Sequence, residues 1–109
     1  MKFAMVVVAA LCLTNCDSSA THRLVVRADG VLNEASVSMC DTNFPVALNG
    51  QVAAAAFHGS CRGPLTVVVK TGARVDTCTI EYIDPQESAK LFTFRVERDQ
   101  CRLSNERPL

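Results

Sequence analysis

A chain of 109 residues has room for one domain at most, and its 11 lysines and arginines balance its 11 acids, so nothing in the composition argues for nucleic acid. Tryptophan is absent, which removes the buried Trp of antibody domains. Apolar residues reach 49%, but the opening stretch MKFAMVVVAALCL inflates that figure and is judged separately.

That stretch has one positive charge, Lys2, then an unbroken apolar run from Phe3 to Leu13, then small and polar residues. Basic start, short apolar centre and processing region are the three parts of a secretory signal. A membrane-spanning helix needs roughly 20 apolar residues, and this run is too short for one. Residues 1–15 are therefore read as a signal peptide, with Cys12 inside it and discarded.

The next residues, LTNC at 13–16, resemble the lipobox of bacterial lipoproteins. Leu13 and Thr14 fit that pattern, and Asn15 departs from its usual Gly, Ala or Ser. The resemblance covers the leader only. It implies that Cys16 receives lipid and becomes the mature N-terminus, with residues 16–21 as a tether. It also implies a membrane partner reached through that lipid and a location in the cell envelope, facing the periplasm. Asp17 resembles the signal that retains lipoproteins at the inner membrane in enteric bacteria; other lineages use other rules, so both membranes stay open. A competing reading places Ser18 and Ala20 at the −3 and −1 positions of an ordinary cut after Ala20, which would release a soluble secreted protein.

The mature chain is written in strands, assigned to a β domain over 22–103 with a loose tail over 104–109. HRLVVRA (22–28) and EASVSMC (34–40) alternate with period two, the signature of a half-buried strand. FPVAL (44–48) reads as one short edge strand, since Pro45 has no N–H for a central one. NG at 49–50 is a hairpin signal. QVAAAAF (51–57) favours helix by its alanines but is too tightly bounded for one, and is read as a strand. LTVVVK (65–70) reads as a strand covered on both faces. In ARVDTCTIEYI (73–83), Asp76 is the odd member of a face with Cys78, Ile80 and Tyr82. DPQE (84–87) has the form of a capped helical turn. KLFTFRVERDQC (90–101) closes the series, with Phe92, Phe94 and Val96 on one face. The charges of RVERDQCR (95–102) read as a solvated strand edge or end. Six to seven short strands with turn signals every ten residues or so predict an all-β fold, a small antiparallel sandwich of immunoglobulin-like or transthyretin-like architecture.

About 90 residues bury only roughly 60–65% of their unfolded surface, so such a domain needs staples. Cys40, Cys61, Cys78 and Cys101 supply two disulfides in an exported chain. Four cysteines allow three pairings; pairing of sequence neighbours, Cys40–Cys61 and Cys78–Cys101, is preferred here.

The chemistry-bearing residues are few. Met39, Cys40, His58 and Cys61 would make a soft-ligand copper site, but the cysteines have a simpler use as disulfides, and no metal or other cofactor is assigned. Ser60 beside His58 in HGSCRG is not a nucleophile elbow. No catalytic residue is assigned, and the chain is read as a non-enzymatic binding or scaffold module with a protein partner in the envelope. The alternative is an inhibitor or immunity-type lipoprotein that blocks a hydrolase. Loops on a rigid sheet carry function more often than the sheet does. The candidate contact residues are therefore Asp41, Phe44, His58 and Arg62, around the Cys40–Cys61 region.

Overall fold

The computed structural model describes residues 20–109 apart from 59, 60, 85 and 99. The leader and Cys16 lie outside the described residues. Among the described residues nine strands run in chain order: β1 (Thr21–Ala28), β2 (Glu34–Met39), β3 (Thr42–Phe44), β4 (Val46–Asn49), β5 (Val52–His58), β6 (Gly63–Thr71), β7 (Arg74–Ile83), β8 (Lys90–Glu97) and β9 (Gln100–Pro108). They form a sandwich of two sheets, one ordered β4-β5-β1-β8-β9 and the other β3-β2-β6-β7. All pairings are antiparallel except β1 with β8, which is parallel. The all-β sandwich expected from the alternation is the fold of the protein, with nine strands in place of six or seven.

Both extra strands have a physical origin. Pro45 splits FPVAL: Phe44 ends β3 in the four-stranded sheet, and Val46 begins β4 in the other. A proline offers no ladder donor and fixes φ, so the chain changes sheet there instead of running on. The region read as one edge strand thus supplies an edge to each sheet. The expected loose tail is also ordered, because β9 pairs along β8 from Glu97↔Gln100 to Lys90↔Pro108. Its side chains are exposed almost throughout, so no apolar alternation marks it as a strand.

The core forms between the sheets from every second residue. Leu24 and Val26 of β1, Phe92, Phe94 and Val96 of β8, and Leu65, Val67 and Val69 of β6 are all buried. The outer side of β6 is only partly covered, so LTVVVK alternates and is not enclosed on both faces as its continuous apolar run suggests. A second correction falls on β7. Between Ile80↔Leu65 and Ile83↔Gly63 it carries one residue more than β6, a β-bulge. The extra residue reverses the side-chain parity, so Tyr82 stands 56% exposed while Ile83 is fully buried.

Among the described residues of 84–87 there is a turn and no helix. Asp84 Oδ1 accepts a hydrogen bond from the Gln86 N–H at 2.9 Å, and the Glu87 N–H donates to the Asp84 carbonyl at 3.1 Å. With β8 starting at Lys90, no length remains for a second turn. The two-residue hairpin at 72–73 places Gly72 at φ 66°, where a side chain would be strained.

Two cross-links close the sandwich. Cys78 of β7 is bonded to Cys101 of β9, joining the edge of one sheet to the edge of the other. On the opposite side the chain itself makes the join, through Pro45. Cys40 is bonded to Cys61 at the end where β1 begins. At the far end, Asp76 is almost fully buried and is held by Arg74 Nε at 2.9 Å, while Arg74 Nη2 donates to Asp29 Oδ1 at 2.8 Å. Asp76, odd by pattern, is thus the anchor of a charged clamp between the sheets.

Candidate functional site

The predicted contact residues gather at the end of the sandwich where β1 starts. Thr21 is the register partner of His58, and its Oγ1 lies 3.2 Å from His58 Nδ1. Cys40 and Asp41 make the two-residue turn from β2 to β3, with φ 53° and 61°. Two successive positive φ values are the mark of a type I′ hairpin, which Asp tolerates and which at Cys40 is pinned by the bond to Cys61. Asp41, His58 and Arg62 are exposed there. Phe44 is not a free contact residue: its ring packs at 6.2 Å from Phe57 and 6.5 Å from His58, half-buried against the core. Ser60 lies outside the described residues. Cys40 and Cys61 bind each other, and among the described residues no group of three or more His, Cys, Asp or Glu side chains is placed to hold a metal ion.

The same end hides His22, which period two places on the inner face of β1. It is fully buried, with ring centroids 5.2 Å from Phe57 and 5.9 Å from Phe92. Its Nδ1 accepts the Lys90 N–H at 3.1 Å, so the neutral ring carries its proton on Nε2. That nitrogen has no hydrogen-bond partner among the described residues. Burial pushes the imidazole below its ordinary range; Glu87 pulls the other way, and Lys90 and His58 add to the depression. The ring is packing material and an acid-sensitive point of the core.

The feature that sequence reading misses lies on the outer face of the five-stranded sheet. Outward positions on β1 are Arg23, Val25 and Arg27, and on β8 Leu91, Thr93, Arg95 and Glu97. On β9 they are Gln100, Arg102, Asn105 and Arg107. The register sets Arg27 opposite Arg95, and Arg95 opposite Arg102, so three arginines form one row across three adjacent strands. A second row runs Arg23–Leu91–Arg107. Five of the ten cations from Thr21 onward thus share one face.

Glu97 is the one acid at these outward positions. It meets Arg95 at 3.7 Å, with both side chains more than half exposed, a geometry worth little in water. Among the described residues Arg23, Arg27, Arg102 and Arg107 have no carboxylate partner. The outer face of the other sheet differs: Glu34 is paired with Lys70 at 3.0 Å among Ser, Thr and Val side chains. Overall neutrality therefore conceals a separation of charge. Like charges directly opposite each other on neighbouring strands are destabilising, so the arginine row is a cost that packing does not explain.

Comparisons with protein-family models, with curated proteins and with solved structures give no match to this chain.

Proposed function

We propose that the chain is a non-enzymatic bacterial cell-envelope lipoprotein whose small disulfide-stabilised β domain serves as a binding or scaffold module of an envelope complex. The observation that carries this reading is the pair of disulfides within one small domain. Such cross-links form and persist outside the reducing cytosol. The lipobox-like LTNC at 13–16 then gives Cys16 a use as the acyl acceptor, with Asp17–Ala20 as the link to β1. Rigid sheets with exposed outer faces, and exposed Asp41, His58 and Arg62 at one end, suit a surface that docks rather than a cleft that turns over substrate.

A second reading has its own observation. The tight Cys40–Asp41 turn, fixed by the Cys40–Cys61 bond, is the kind of stiff projection that an inhibitor or immunity-type lipoprotein inserts into a hydrolase. Intact-mass measurement of the mature protein tests the common part. It is expected to find an acylated Cys16 and a gain of about 4 Da on reduction, two hydrogens per bridge. A mature N-terminus at Thr21 would support the secreted form instead, and four free thiols would refute the reading. Capture experiments then separate the two roles. Stoichiometric recovery of a multi-protein envelope assembly supports the scaffold, and loss of one hydrolase's activity on adding the pure protein supports the inhibitor.

A further inference from the structure

We infer that the outer face of the five-stranded sheet is a docking surface for an anionic phospholipid bilayer, with the arginines of β1, β8 and β9 seated among lipid phosphates. The inference rests on the reading of Cys16 as a lipid anchor, because that anchor is what selects the anion.

Three observations converge. The first is charge complementarity. Rows Arg27–Arg95–Arg102 and Arg23–Leu91–Arg107 set five guanidinium groups on one face against, among the described residues at its outward positions, the one carboxylate of Glu97. Neighbouring strands lie about 4.8 Å apart and residues advance about 3.3 Å along a strand, so each row spans roughly 10 Å and the two lie roughly 13 Å apart. The second is relief: the outward residues between the rows, Val25, Thr93 and Asn105, are short. The arginines are therefore the longest groups on that face, with apolar stems able to lie along it and bidentate forks free to meet phosphate oxygens.

The third is reach. Five residue steps separate Cys16 from Thr21, at most about 18 Å of extended chain. A domain held that close to a bilayer must turn some surface toward it, and Arg23 lies two residues beyond the start of the first strand. An anionic surface supplies counter-charge to Arg27 and Arg102, which have no carboxylate partner among the described residues. Basic residues beside such a surface add affinity one by one and fade beyond a Debye length.

The test exports the full chain carrying Cys16→Ser, so that no acyl chain contributes. The fraction cut after Ala20, its N-terminus checked by intact mass, keeps every core residue and both disulfides and is sedimented with vesicles. Phosphatidylcholine vesicles containing about 30% phosphatidylglycerol should retain it, pure phosphatidylcholine should not, and about 0.5 M salt should release it. Replacing Arg27, Arg95 and Arg102 with Gln should weaken retention about 100-fold, roughly fivefold per charge. Replacing the same three with Lys should keep it within roughly threefold, and Arg62→Gln, at the predicted contact end, should leave it unchanged.

Equal retention on both kinds of vesicle, or retention indifferent to salt, would overturn the inference without reference to any variant. Preference for a nucleic acid or an acidic protein over anionic vesicles would overturn it in favour of that partner. The two proposals fail separately. A wild-type protein without an acyl group refutes the anchor, whereas an acylated wild type whose Cys16→Ser variant ignores anionic vesicles refutes the face alone.

Discussion

Cutting the Cys78–Cys101 bond is predicted to cost this domain a large share of its stability and to loosen β9 first. The bond closes a loop of 23 residue steps. On the chain-entropy account a loop of that length restrains the unfolded state by about 3 kcal/mol. A domain of this size has roughly 4–13 kcal/mol in all, from about 0.05–0.15 kcal/mol per residue. In urea, with a slope of about 1 kcal/mol per molar for so small a protein, the midpoint should fall by about 3 M. The Cys78→Ala/Cys101→Ala variant tests this, and Cys101→Ala alone, which breaks the same bond but keeps the buried Cys78 sulfur and the Cys40–Cys61 bridge, separates the lost cross-link from the lost volume. Location sharpens the test. Cys101 is the only residue of β9 that is not exposed, so the strand keeps little besides its ladder to β8 once the bond is gone. Hydrogen exchange should show amides of Gln100–Pro108 losing protection while those of β1 and β5 retain theirs. A midpoint within about 0.3 M of the cross-linked protein would refute the reasoning.

Two further outcomes are expected. His22 has its pKa lowered by burial from an ordinary value of 6.5, so the unfolded chain takes up the proton first. Its stabilising contribution is complete above pH 6.5 and is lost as pH falls from there toward the folded value, by at most about 1.4 kcal/mol per pH unit. Urea midpoints measured between about pH 8 and 5 should decline for the wild type and much less for His22→Phe; parallel curves would show that another group is responsible. At the β7 bulge, Ile83→Ala should cost about 2–5 kcal/mol and Tyr82→Ala no more than about 0.5 kcal/mol in thermal melts. The reverse order would mean that the strand runs without its extra residue.

Legibility in the sequence followed the source of order for each element. Strands β1, β2 and β8 are ordered by a buried face, and the alternation of Leu24 and Val26, or of Phe92, Phe94 and Val96, displays that face directly. Strand β9 is ordered by its neighbour and one sulfur, and nothing in RLSNERP shows it. At Tyr82 a period of two runs straight through a bulge that only the partner strand reveals. Asp76 could be flagged as anomalous, but Asp29, the other carboxylate of its clamp, is 47 positions away. The arginine face is hidden for the same reason. Arg23 and Arg27, then Arg95, each occupy outward positions of their own strands, yet a row exists only once β1 is known to lie beside β8. RVERDQCR reads as mixed charge along the chain, whereas the hairpin places Arg95 and Arg102 side by side.

The parallel pairing of β1 with β8 also dictates when the protein can assemble. The first strand occupies the middle of its sheet, and one of its two neighbours lies 68 positions later, as Arg23↔Leu91 records. Closing so long a loop before any reward arrives places the fold among the slower topologies, on the order of milliseconds to seconds. The β4–β5 and β6–β7 hairpins can pair early, but the middle of the five-stranded sheet stays incomplete until residues 91–96 are available. Completion of the core thus waits on β8, whatever the order in which the hairpins form.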